Sequence, residues 1–366
     1  MAGPTAGLQS FSIRMSAILR FLKDWTLAIA MTIGASTYLF CHNVPGLASY
    51  SAPVMQAVSF IQPLLIFCML FIAFCKVDLR ALRPCRWHWW LVAFQSVIFT
   101  LLCLWLILCP HLSYGVVVEG AILSIICPTA AAGAVITGKL GGNAAGLTAY
   151  TLVINLCVAI LIPLLVPLTH PQPGMTFVSS FLLICAKVFP ILILPLVAAT
   201  IVRHYLPRLC RAITSVRDLA FYIWCVSLSL AIAVTTRSLV GSHIGWPLLT
   251  GIALASLFCC AIQFAFGRWI GRRYGCPIAA GQSLGQKNTM FAIWMGYTFL
   301  TPVSTVAGGF YSVWHNIFNS WQLYQQRKHP ERQVPDRRRT VGNRRRTVGE
   351  PSGLQPVKKW GKYFAQ

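Results

Sequence analysis

Ten hydrophobic segments make up most of this chain, and by sequence only the fourth and the ninth are interrupted in the middle. Segment four, residues 116–137, is broken at Cys127-Pro128-Thr129 and by the small residues that run to Gly133. Segment nine, residues 278–299, is broken by Gly281-Gln282-Ser283-Leu284-Gly285-Gln286-Lys287-Asn288. Dividing the ten into two sets of five puts both breaks at the same place in their set. Five is odd, so the second set enters a bilayer from the opposite side, and the two sets read as inverted repeats. Matched interruptions in such repeats point to a substrate site at the bilayer midplane of a secondary transporter.

Hydrophobic residues form 57% of the chain and charged residues 10%, against roughly 25% charged in a soluble domain. A helix crossing ~30 Å of hydrocarbon takes about 20 mostly apolar residues. Segments at 25–40, 54–75, 89–109, 116–137, 144–168, 177–202, 219–236, 246–266, 278–299 and 303–323 are of that kind, the first being short. The alternation of period two that marks a barrel strand is absent. These features predict an all-α membrane protein with ten transmembrane helices. Its inverted repeats cover about 25–168 and 177–324, with broken helices four and nine crossing. Residues 1–24 form an amino-terminal arm without an evident cleavage site, and residues 325–366 a basic, disordered tail.

Loop charge sets the orientation. Fifteen Lys and Arg fall in the amino-terminal arm and alternate loops, including Lys76, Arg80, Lys139, Arg211 and Arg272, against Arg237 alone in the others. Both termini are therefore expected in the cytoplasm, with the protein spanning a plasma or bacterial inner membrane. The net charge of +23 reflects this topology outside the tail, and no nucleic-acid partner is expected from Lys and Arg scattered over short loops. The tail repeats Arg-Arg-Arg-Thr-Val-Gly at 337–342 and 344–349. It is either a solvated extension or a patch drawn to anionic lipid, at about 1 kcal/mol per basic residue. No obligate protein partner is evident.

Fourteen cysteines are spread through the segments with no Cys-x-x-Cys pair, and eight histidines are dispersed. They read as packing residues, and no metal or cofactor is predicted. No His-Glu-x-x-His, Gly-x-Ser-x-Gly or paired-Asp motif suggests an enzyme. Chemistry is expected where polar groups lie at membrane depth. A broken helix frees N–H and C=O groups that lipid cannot satisfy. Pro128 removes a donor, the run to Gly133 permits close backbone approach, and Gln282, Ser283, Gln286 and Asn288 add side-chain partners. Half-helix ends meeting at a crossing suit an organic anion beside a small cation.

Cys127-Pro128 with its small-residue run, then Gly142-Asn143, resembles the bile acid:sodium symporter family. So do Gly285-Gln286-Lys287-Asn288 and Ser312-Val313-Trp314-His315-Asn316 with Trp321, the last close to bacterial members. Asp78-Leu79-Arg80 and Gln95 also fit, and the likeness covers roughly residues 20–324. It implies ten helices in panel and core domains, and sodium-coupled uptake of organic anions. Auxin-carrier-like and cation/proton antiporter folds share that architecture. Placed by motif, however, the family's sodium ligands are largely replaced. Gly133 and Ala134 stand for a Ser-Asn pair, Ser283 for a Glu and Lys287 for a Gln, leaving Gln95 and Asn288. Two unit charges at 4 Å repel by roughly 4 kcal/mol at an effective dielectric of 20. Sodium should not bind beside that ammonium.

Lys287 is thus the key residue, because an ionisable group within a span marks a functional site. Its ammonium is expected to stand in for the cation and hold an anionic substrate, in sodium-independent uniport or proton-coupled transport. Gln95, Pro128, Thr129, Gly133, Gln282, Ser283, Gln286 and Asn288 complete the candidate substrate- and ion-binding set. His315 and Asn316 join it by motif, with hydrogen-bonded packing as their alternative. Lys187 either reaches an interface or joins the cavity. Glu119 is expected to cap the start of segment four. Trp25, Trp87, Trp89, Trp90, Trp246 and Trp321 read as interface anchors. The expected function is alternating-access transport of small organic anions. The alternatives are a cation/proton antiporter, weakened by the lack of an intramembrane Asp, and a non-transporting sensor or scaffold.

Overall fold

The computed structural model describes residues 29–44, 46, 51–76, 82–171, 174–216, 219–241, 245–328 and 336. The arm at 1–24, Trp25, Asp78-Leu79-Arg80 and the arginine repeats lie outside the described residues. The described chain is helical because long apolar runs satisfy their own backbone groups only as helices. In order these are α1 (29–43), α2 (Ser51–Cys75), α3 (Arg86–Leu108), α4 (Gly115–Ile126) and α5 (Gly133–Lys139). They continue with α6 (Ala144–Thr169), α7 (Phe177–Leu192), α8 (Leu194–Tyr205), α9 (Pro207–Ser215) and α10 (Leu219–Gly241). The last are α11 (Trp246–Arg273), α12 (Pro277–Gly285), α13 (Thr289–Phe299) and α14 (Thr305–Lys328).

Among the described residues, six helices are long and apolar enough to cross a membrane. Large apolar side chains face outward along them, including Phe60, Leu108, Phe258 and Leu254. In water such a surface would drive association; in a bilayer it is the surface that lipid covers. The chain is an all-α membrane protein.

Segments four and nine are broken as expected, into α4 and α5 and into α12 and α13. They are not alone. Segment six is interrupted at Ile193, between α7 and α8, where Pro190 and Pro195 lack N–H groups. This interruption is of another kind, because Ile193 N still donates to Phe189 O and Leu196 N to Ile193 O. The hydrogen-bond ladder runs through it. Segment six is then followed by α9, a short helix where a loop was expected.

The far end of the chain also departs from expectation. Helix α14 runs to Lys328, into residues assigned to the tail, and Asp336 is buried. Trp89, Trp90, Trp246 and Trp321 are exposed, as interface anchors would be, but Trp87 is buried. Its ring stacks on Tyr150 at 6.2 Å and packs edge-on to His88 at 4.0 Å.

Helices α2, α8, α9 and α10 pack among themselves, while α3, α4, α6, α11, α12 and α14 surround the two breaks. Close approach there depends on small residues. Gly267 and Gly271, four apart on α11, face the backbone of α12, the spacing that lets membrane helices touch. A Cβ at Gly267 would lie 2.5 Å from Ala280 O, and one at Gly271 would lie 2.5 Å from Cys276 O. Replacing Gly267 by Ala should therefore lower stability by about 1–3 kcal/mol, measured as thermal unfolding in detergent. Gly138→Ala, with nothing within 4 Å of the new carbon, should leave unfolding unchanged or slightly delayed.

Candidate functional site at the helix crossing

Helix α4 stops at Ile126 because Cys127 precedes a proline, which disfavours helical backbone; its φ and ψ are −53° and 135°. Helix α12 stops at Gly285, and Gln286 is extended at −87° and 96°. The two extended stretches lie side by side. Thr129 and Lys287 form an antiparallel bridge, in which Ala130 N donates to Gln286 O at 2.9 Å and Asn288 N to Pro128 O at 2.8 Å. Each break supplies the backbone partners the other lacks. The chain then re-enters helix at Asn288, whose side chain accepts from Phe291 N at 3.2 Å.

The carbonyls freed at the two helix ends are met by side chains. Gln95 Nε2 donates to Ile126 O at 2.8 Å and Cys127 O at 3.2 Å. Gln263 Nε2 donates to Ser124 O, Thr129 Oγ1 to Ser283 O at 2.6 Å, and Tyr311 Oη to Gly285 O at 2.9 Å. Gln282 Nε2 donates to Asn319 Oδ1 and Gln322 Oε1, and Asn319 Nδ2 donates to Gln286 Oε1 at 2.7 Å. A Cβ at Gly133 would lie 3.3 Å from Gln286 Cγ, so the small residue there lets the second break sit against α5.

Lys287 lies at the centre with only 1% of its surface exposed. Its Nζ donates to Gln95 Oε1 at 2.7 Å, and Tyr150 Oη reaches the same oxygen at 3.3 Å. The Gln95 amide thus turns its N–H side to the carbonyls ending α4 and its oxygen to the ammonium. Helices α4 and α12 both direct their negative ends here, which favours a cation. Among the described residues no carboxylate pairs with Lys287. Buried polar atoms without hydrogen-bond partners surround the crossing, namely Ser283 Oγ, Gln282 Oε1 and Gln263 Oε1.

The crossing therefore unites Gln95, Pro128, Thr129, Gly133, Gln282, Ser283, Gln286, Lys287 and Asn288. Two motif residues stand apart from this network. Asn316 Nδ2 donates to Ser312 O of its own helix. His315 packs against Tyr311 with ring centres 5.7 Å apart, and its Nδ1 has no partner. Lys187 is exposed on α7, its Nζ 5.6 Å from the centre of the Phe299 ring. Glu119 does not cap α4. It accepts from Thr301 N at 3.0 Å and Thr301 Oγ1 at 2.9 Å, and lies 3.1 Å from His170 Nε2. Five participants were missed: Tyr150, Gln263, Tyr311, Asn319 and Gln322. Tyr311, His315, Asn319 and Gln322 recur at spacings of four, four and three, but Ser312, Asn316 and Ser320 on the same segment obscure that stripe.

No protein-family model matches the chain, and no curated protein matches it. The likeness to bile acid:sodium symporters accordingly rests on the motif residues named above.

Gln95→Leu should cost about 1.5–3 kcal/mol by leaving a buried charged donor without its acceptor. Adding Lys287→Met in that background should recover the ammonium's share, since removing both partners is close to neutral. A double-mutant cycle on thermal unfolding checks this; strictly additive losses would show that the two side chains are uncoupled.

Proposed function

We propose that the chain is a secondary transporter of small organic anions, working by alternating access, with Lys287 as a fixed cation in its substrate site. The observation that carries this reading is a buried ammonium at a double helix break with no carboxylate beside it among the described residues. Such a charge is costly at membrane depth, and a substrate carboxylate entering the crossing would compensate it. The start of α13 adds a positive helix end on the same side as Lys287.

Two further observations support the reading. The broken segments fall at matched positions, as inverted repeats require, and the helices gather into a group around the crossing and a group packed beside it. We read these as the core and panel of a ten-helix carrier. The crossing is closed to solvent, since Lys287 and Ser283 are 1% and 0% exposed; opening it requires helices of the crossing group to part. The loop-charge bias favours both termini in the cytoplasm.

Sodium coupling of the family type does not suit these residues. Gln95 Oε1, the oxygen the resemblance would assign to the ion, already accepts from Lys287 Nζ. The site has gained a positive charge where sodium would need a negative one. Uniport or proton coupling remains. Extensive replacement of family ligands gives weight to a second reading, a sensor that binds an anion without moving it.

In proteoliposomes the protein should take up labelled carboxylates, with bile acids, keto acids and pantoate-like acids as the first panel. Uptake should not depend on a sodium gradient. Lys287→Gln should lower affinity by roughly 10- to 100-fold, as loss of a charge-assisted hydrogen bond of 1.5–3 kcal/mol implies. Unchanged affinity and flux in that variant would defeat the proposal. Binding that depends on Lys287 without measurable flux would favour the sensor.

A further inference from the structure

Each broken segment starts beside the end of the other, and a carboxylate occupies both meeting points. At one, Glu119 on α4 bonds to Thr301, just beyond α13. At the other, α12 begins beside the turn joining α5 to α6, but the carboxylate comes from neither segment. It is Asp336, beyond the end of α14. Oδ1 accepts from Ile278 N at 3.1 Å, while Oδ2 accepts from Ala279 N at 2.9 Å and Asn143 N at 2.9 Å. Asp336 is 5% exposed.

The three donors have a clear need for this acceptor. The first N–H groups of a helix lack intrahelical partners, and Pro277, at the first position, has none to offer. Ile278 and Ala279 supply the next two, and the first turn of α12 holds no acid of its own. The pieces are already in close contact: a Cβ at Gly142 would lie 2.7 Å from Ile278 Cγ2. The carboxylate therefore ties together two backbones that must part if α5 is to move away from α12. This is the end of the fold that carries Lys139, Arg272 and Arg273.

We propose that these three N–H groups form a carboxylate site filled by the chain's own Asp336, a latch that holds the crossing shut at the Lys/Arg-rich end. Access to Lys287 from that side requires Asp336 to leave. Glu119 does the corresponding work at the opposite end from within its own segment.

Hydrogen–deuterium exchange of the full chain in lipid nanodiscs tests the latch. Asp336→Ala should speed exchange at Ile278, Ala279 and Asn143 by about tenfold or more, as expected for amides at helix starts that lose their only acceptor. Peptides of α5 should quicken with them, and peptides around Thr301 should not. Glu119→Ala should do the reverse, and Asp336→Asn, which keeps one acceptor oxygen, should fall between wild type and Asp336→Ala. Wild-type rates at the three amides would overturn the proposal. So would acceleration confined to those amides, which reduces Asp336 to a helix cap, or acceleration spread through every helix. The readout involves no substrate, so its outcome is independent of whether Lys287 binds anions.

Discussion

The backbone hydrogen bonds between the two breaks are the interaction on which the rest of this structure depends. Inside a membrane an unpaired N–H or C=O has no water to turn to. Here Pro128 O, Gln286 O and the N–H groups of Ala130 and Asn288 satisfy one another across a two-residue bridge. The surrounding polar side chains complete that bridge. Gln95, Gln263, Thr129 and Tyr311 each cap a carbonyl that the bridge leaves over. Removing one of them exposes a specific acceptor, which is why a polar network persists in so apolar a chain.

The same geometry makes a buried lysine tolerable. Two helices end at the crossing and turn their carbonyl-rich ends toward it, and Gln95 relays that polarity to Lys287 through its amide. Those carbonyl-rich ends favour a cation, while the positive start of α13 beside Lys287 opposes it. Among the described residues no acidic side chain supplies a counter-charge. That imbalance separates this arrangement from a structural ion pair, which would carry its own carboxylate, and it is the physical ground for reading the crossing as an anion site.

Sequence reasoning located the breaks because helix interruption has local causes: a proline at 128 and a glycine-rich polar run near 285. It located Lys287 because a charge is conspicuous in an apolar segment, and Gln95 through the family resemblance. It lost Asn319, Gln322 and Tyr311 because a polar stripe on one helix face becomes meaningful only once a neighbour is placed against it. Segment six looked continuous because prolines inside apolar runs are common, and only the structure separates a kink from a break. Trp87 was misplaced for a related reason, since a tryptophan near a segment's end is an anchor or a core ring according to which way α3 is turned. Glu119 and Asp336 were beyond reach altogether. Both act on backbone far away in the chain, Thr301 and Ile278, and no local pattern announces such a partner.

The bridge joins residue 129 to residue 287, so it closes only after most of the chain exists. During synthesis, segment four enters the bilayer with its unwound stretch unmatched, and its partner is still to be translated. The first half must therefore wait in a sheltered place, within the insertion machinery or against its own polar side chains such as Gln95. A truncated product ending before segment nine would hold exposed peptide groups in lipid indefinitely, a form that membrane quality control should recognise and remove.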